Sequence, residues 1–351
     1  MTAPAILHPT DALDGFVVPP ELEATKPPES RGLRRDEVRL MVSDRGAIRH
    51  RKFHDLASEL RSGDLVVVNT SATLPASVVV DHELVVHFST ALPGGLHLVE
   101  IRSISGAASL PFEAPAPGKV QLPGEGIIEL LSPYPVGSEN RRLWVAAVDL
   151  DCPLTEYLST WGRPIRYRHI DGPYPLASYQ TVFARVPGSA EMPSAGRPFS
   201  EQLVTSLVAT GVSIAPLTLH TGVSSLESGE PPYPEWFEVP EPTAATVNHT
   251  RAHGGRVIAV GTTVVRALET TADSAGVAHP ARSWTDHVVG PEDEMQLVDG
   301  LITGWHEPAS THLDLLQAVA GRALLAEAYQ RALETGYLWH EFGDSHLILS
   351  S

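Results

Sequence analysis

Cysteine is almost missing from the chain: Cys152 is the only one in 351 residues. That excludes an internal disulfide and any cysteine-built metal cluster, and a lone thiol beside Pro153 reads as inert. No run approaches the eighteen uninterrupted apolar residues that a membrane-spanning helix needs. The first thirty residues lack a basic stretch followed by an apolar one, so no secretory leader is expected and residence in the cytoplasm is. G-x-G-x-x-G and G-x-x-x-x-G-K-[ST] are both absent, which leaves dinucleotide and P-loop binding unsupported. H-E-x-x-H is absent too; His249 and His253 stand four apart with no third ligand of suitable spacing, so no metal is expected. Positive charge is scarce: 25 Lys and Arg against 42 Asp and Glu give a net charge of −17, which argues against a protein that coats nucleic acid non-specifically.

The length and 42% hydrophobic content suffice for a sizeable core and two domains. The scarce basic residues are clustered. Eight of them (Arg31, Arg34, Arg35, Arg39, Arg45, Arg49, Arg51, Lys52) lie against Asp36, Glu37 and Asp44, and a second group sets Arg163, Arg166, Arg168 and His169 beside Trp161 and Tyr167. Arginines interleaved with aromatics hold phosphates and stack bases, so Arg49, Arg51, Lys52, Arg163, Arg166 and Arg168 are the candidate RNA contacts. A solvated face of paired charges is the competing reading of the first cluster.

Along the chain, "E-V-R-L-M-V" and "A-I-R-H-R-K-F" flank the turn "S-D-R-G", which predicts a hairpin before a short helix "F-H-D-L-A-S-E-L" and a strand "D-L-V-V-V-N". Residues 75–150 change texture to short β-rich runs separated by Pro/Gly turns such as "A-P-A-P-G-K" and "L-P-G-E-G", predicting a small barrel or sandwich. Helices return after Pro153, and the chain closes on one long predicted helix capped by Ser310-Thr311. The expected architecture is a discontinuous α/β (α+β) domain, residues 1–74 and 151–351, with an inserted all-β barrel over 75–150.

The stretch "G-G-R-V-I-A-V-G-T-T-V-V-R-A-L-E" (254–269) reads as a buried strand turning directly into a helix. Such a turn presents free backbone N–H groups, which Thr262 or Thr263 could cap or which could face a ligand anion. Arg266 and Glu269 are spaced for a pair on one helix face.

The order of motifs resembles the S-adenosylmethionine:tRNA ribosyltransferase-isomerase family of queuosine biosynthesis. The resemblance rests on "S-G-D-L-V-V-V-N" with "L-P-A", "Y-Q-T-V-F-A", "P-S-A-G", "L-T-L-H-T-G" and "E-W-F-E-V". It continues through 254–269, "V-D-G-L-I-T-G-W-H-E-P-A-S-T" and "F-G-D-S-H-L-I-L". It implies an α/β enzyme with an inserted barrel that uses S-adenosylmethionine as a ribosyl donor. The ribosyl part is transferred and isomerised onto the aminomethyl group of a 7-deazaguanine in tRNA, adenine and methionine leave, and no metal is required. The sulfonium acidifies the neighbouring 5′ carbon, so a base can form an ylide. That chemistry needs a base, a donor for departing adenine and a pocket for the methionine end. His220, Glu235 and His306 stand in matching motifs with suitable groups; Ser194, Ala195, Gly196, Gly222, Thr262, Thr263, Arg266 and Thr311 are the S-adenosylmethionine-loop candidates.

The chain also departs from the family pattern. Thr70-Ser71-Ala72 stands for Asp-Thr-Arg/Lys, Pro198 for a histidine, and Tyr233-Pro234-Glu235 for His-Ser-Glu. Gly304, Trp305 and Glu307 alter the loop before "T-H-L-D". Lost polar groups in pocket loops change what is bound. A non-tRNA small-molecule acceptor, or a binding protein that keeps the fold without the chemistry, therefore stands beside the tRNA enzyme at this point.

Overall fold

The computed structural model describes residues 13, 15–105, 108–112, 118–135, 142–223, 233–308 and 310–349. Residues 114–117 of the expected "A-P-A-P-G-K" turn lie outside them, as do most of the first fourteen.

A nine-stranded sheet forms the centre. In order across it run Ala281–Thr285, Glu235–Val239, Ser213–Leu219, Leu65–Asn69, Val257–Val260, Gly300–Thr303, Ser345–Leu349, Arg39–Asp44 and Ala47–Lys52. The four strands from Ser213–Leu219 to Gly300–Thr303 are parallel neighbours. Their runs of Val, Ile and Leu are apolar on both faces because both faces are covered. Leu65 and Val67 enter the core packed by the helices Glu241–Ala252, Thr262–Thr271, Thr311–Ala320 and Arg322–Glu334, whereas Val66 and Val68 point to the opposite core with Phe53, Leu56, Phe199, Leu203 and Leu207. The two-residue alternation of a strand thus splits one hydrophobic run between two layers. The expected hairpin forms, Arg39–Asp44 pairing antiparallel with Ala47–Lys52.

The β-rich segment makes a second sheet in the order Gly162–Arg163, Ser77–Val79, Leu84–Ala91, Leu96–Ser105, Leu143–Asp149, Ile127–Tyr134, Lys119–Gln121, with Ala108–Pro111 added beside Leu96–Ser105. It has its own core around Val86, Phe88, Val99, Ile101, Ile128 and Ala146, covered by Tyr157 and Leu158 of the helix Leu154–Trp161. Closure of the expected barrel is not seen: among the described residues no pairing joins the end strands Gly162–Arg163 and Lys119–Gln121. Short strands separated by turns are common to open and closed sheets, so texture alone could not decide closure.

Two further expectations are corrected by glycine. The single C-terminal helix is two, Thr311–Ala320 and Arg322–Glu334, because Gly321 between them has φ 75° and ψ 146°, a conformation a side-chain-bearing residue resists. Ser310 does cap the first, its Oγ accepting from His312 N at 3.3 Å. After Val260 the helix boundary is Gly261, at φ 92°, with no side-chain cap. Thr262 and Thr263 already lie inside the helix and leave its first N–H groups uncapped by any side chain.

Candidate functional site

The parallel strands end at Asn69, Leu219, Val260 and Thr303, and the loops that follow three of them bound one cavity. Crevices outside the carboxyl ends of parallel strands are where such sheets place ligands. Asn69 ties this edge together: its side chain donates to Leu219 O (2.8 Å) and accepts from Leu219 N and Ser71 N (both 3.0 Å).

Gly261, Thr262 and Thr263 form one part of the wall, held by Gly261 N donating to Ile302 O at 2.8 Å. Thr221 and Gly222 form another; Val223 N donates to Ser89 Oγ at 2.9 Å, so strand Leu84–Ala91 of the second sheet contributes Ser89 and Thr90 to the same cavity. A Cβ on Gly222 would stand 2.8 Å from Ser89 Oγ and 2.9 Å from Thr90 Oγ1, so the glycine permits this close approach.

Glu235 opens the strand Glu235–Val239 and faces the cavity. Oε1 accepts from Gly222 N at 3.1 Å and Oε2 is ion-paired with Arg266 Nη1. Burial raises the Glu235 carboxyl above its ordinary range, and Arg266 only partly offsets this. Arg266 also donates to the carbonyls of His287 (3.0 Å), Tyr233 and Thr285 (both 3.4 Å). Its guanidinium is thus committed to the protein. The expected Arg266–Glu269 pair is not made; Glu269 instead accepts from the backbone N–H groups of Gln296 (2.8 Å), Leu297 and Val298 (both 3.1 Å).

His306 follows strand Gly300–Thr303. Its Nε2 is 3.0 Å from Thr303 Oγ1 and its ring stacks on His312 with centroids 4.6 Å apart. Burial, then His312 and His340, push the His306 pKa well below the usual value; burial takes His312 down to about 4. Both imidazoles are neutral at pH 7, and both line the cavity.

Of the residues picked from sequence, Glu235, His306, Ser194, Ala195, Gly222, Thr262, Thr263, Arg266 and Thr311 line this one cavity. His220 and Gly196 do not. The His220 ring lies behind the wall, Nδ1 2.7 Å from Ser71 Oγ and stacked 5.0 Å from Trp236, with burial lowering its pKa to about 4. Gly196 is buried against Thr181.

The two basic clusters differ. Arg49 and Arg51 are both paired with Glu59, at 2.9 and 2.7 Å, and Lys52 Nζ donates to Glu37 O at 2.9 Å. Arg163, Arg166 and Arg168 have no acidic partner among the described residues, and Tyr167 between them lines the cavity.

Tyr167, Glu191, Tyr233, His287, His312 and Glu341 were not picked from sequence and also line the cavity. Tyr167 is hydrogen-bonded to Glu191, and His169 Nε2 stands 3.0 Å from Glu341 Oε2. All but His312, which lies in the helix Thr311–Ala320, are brought in by tertiary contact from segments outside the helices and strands. Among the described residues no group of three or more His, Cys, Asp or Glu side chains is placed to hold a metal ion, and no helix is long and apolar enough to cross a membrane.

Residues 14–348 match the family model described as queuosine biosynthesis protein. The chain is 36% identical to the S-adenosylmethionine:tRNA ribosyltransferase-isomerase of Symbiobacterium thermophilum over 350 residues, covering 95% of this chain and 98% of that one. It is 33% identical to the protein of the same name from Moorella thermoacetica, with the same coverage. The crystal structure of the S-adenosylmethionine tRNA ribosyltransferase from Thermotoga maritima superposes with a TM-score of 0.53 at 27% identity, covering 96% of this chain and all of that one.

Proposed function

The chain belongs to the queuosine biosynthesis protein family, and from that premise we propose that it is an S-adenosylmethionine:tRNA ribosyltransferase-isomerase. The observation that carries this is similarity over the whole length to enzymes of that name, at 36% identity to one of them; it favours tRNA over a small-molecule acceptor. The reaction joins the ribosyl carbons of S-adenosylmethionine to the aminomethyl nitrogen of a 7-deazaguanine in tRNA, as an epoxycyclopentane, and releases adenine, methionine and one proton. A tRNA acceptor places the enzyme in the cytoplasm.

The wall supports this assignment chemically. Glu191, Glu235 and Glu341 face the cavity, whereas the guanidinium of Arg266 is consumed by Glu235 and three carbonyls. A cavity lined by carboxylates favours cations, and the sulfonium and the aminomethyl ammonium are both cationic. Glu235, its charge balanced by Arg266, accepts from Gly222 N and so fixes the loop that bounds the sulfonium. His306, neutral and held through Nε2 by Thr303, is the base for the 5′ carbon, and His312 beside it is an N–H donor for departing adenine. His220 acts from behind the wall by holding Ser71. Ser194, Ala195, Gly222, Thr262, Thr263 and Thr311 bound the S-adenosylmethionine end, with Gly196 supporting that loop and Arg266 fixing Glu235. Arg163, Arg166 and Arg168 meet the tRNA backbone; Arg49, Arg51 and Lys52, being paired internally, contribute less. The division into residues 1–74 with 151–351 and an insert over 75–150 belongs to the same proposal, supported by the separate cores of the two sheets.

The test is nucleoside mass spectrometry of tRNA carrying 7-aminomethyl-7-deazaguanine after incubation with enzyme and S-adenosylmethionine. A ribosyl-derived mass on that base is expected; an unmodified base would reject the reading.

A further inference from the structure

The cavity's three carboxylates are not equivalent. Glu235 is neutralised by Arg266, and Glu191 takes the hydroxyl of Tyr167. Glu341 is paired with no Arg or Lys among the described residues; His169 Nε2, 3.0 Å from its Oε2, seats it. The side chains of His169 and Glu341 are only 12% and 21% exposed. The His169 ring is itself clamped, stacked on His340 at 4.0 Å and nearly parallel to Tyr167 at 5.8 Å. Burial, the largest single influence, would raise the Glu341 carboxyl, but the hydrogen bond from His169, the electrostatic pull of His169 and His340 and a backbone hydrogen bond together more than offset it, and its pKa falls below the usual value. The carboxylate is therefore kept charged on the cavity wall, with histidines and, among the described residues, no Arg or Lys paired to it.

Its position indicates what fills that role. Tyr167, which lines the cavity, and His169, which seats Glu341, lie on one segment with Arg166 and Arg168, which have no acidic partner among the described residues. A polyanion held by those arginines would present its base at the Glu341 side of the cavity.

We propose that Glu341, seated by His169, is the site for a primary ammonium group, and that its occupant is the aminomethyl group of the acceptor base rather than the methionine end of the donor. This rests on the tRNA reading above. Glu341 is then the residue that distinguishes an aminomethyl base from guanine at the same tRNA position, and His169 is a positioning residue.

Three measurements on the full chain test this. Wild-type enzyme is expected to bind tRNA carrying the aminomethyl base more tightly than the same tRNA carrying guanine. Glu341→Gln should lose that discrimination, on the order of 10- to 100-fold, because one charge-assisted contact is removed. Affinity for S-adenosylmethionine, read by calorimetry, should not change. His169→Ala should raise KM for the aminomethyl tRNA with kcat largely kept, and His169→Gln, which retains a donor near the Nε2 position, should restore it. Discrimination that persists in Glu341→Gln while the wild type transfers ribosyl would overturn the inference and leave the function standing. Loss of S-adenosylmethionine affinity instead would overturn the assignment to the acceptor. Absence of discrimination in the active wild type would reject the site without any variant.

Discussion

Arg266 and Glu235 form a buried ion pair between the helix Thr262–Thr271 and the strand Glu235–Val239, with side chains only 9% and 12% exposed. Removing one partner leaves the other charge desolvated and unpaired, which typically costs about 3–5 kcal/mol. Arg266→Met is therefore expected to destabilise the chain by about that much, with the carbonyls of His287, Tyr233 and Thr285 also losing a donor. Glu235→Gln in the same background should recover part of the loss. Urea unfolding of the two single variants and the double variant measures this coupling.

Buried neutral histidines make stability depend on pH. Burial lowers His220 and His312 to about 4 and pushes His306 well below its ordinary value, whereas the unfolded chain titrates near the ordinary value of about 6.5. Their contribution is complete above about pH 6.5 and is lost as pH falls towards 4, because unfolding then takes up protons. Each fully withheld proton gives a slope of about 1.4 kcal/mol per pH unit. Urea midpoints should fall steeply between pH 6.5 and 4, and His312→Asn should flatten the dependence by close to one proton.

Much of this site is legible in the sequence because it lies on strand-to-helix turns. Gly261 to Arg266 announces itself as an apolar run, a glycine and a helical spacing, and Ser310 is recognisable as a cap. What sequence cannot rank is which like group faces the cavity. His220 and His306 both follow a buried strand, yet the His220 ring goes to Ser71 and Trp236 while His306 faces His312 in the cavity. Glu191, Tyr167 and Glu341 come from non-periodic segments and meet only through tertiary packing. Helix length fails for a local reason: Gly321 breaks an otherwise continuous periodic pattern through its backbone angle. Barrel closure is undecided by sequence for a global reason, since it depends on the pairing of end strands that local pattern does not encode.

The two basic clusters give opposite expectations for tRNA. Reversing Arg163, Arg166 and Arg168 to Glu should weaken tRNA binding and lower the steepness of its salt dependence by about two to three, one phosphate contact each. Reversing Arg49 and Arg51 should mainly disturb Glu59, their partner at 2.9 and 2.7 Å, and leave the salt slope nearly unchanged. Filter binding over a series of salt concentrations separates the two.

The most direct test of the central claim is adenine and methionine release from S-adenosylmethionine, followed by mass spectrometry with and without tRNA carrying the aminomethyl base. Release of both products that requires this tRNA is expected. Release at the same rate without tRNA, or no release with it, would contradict the account.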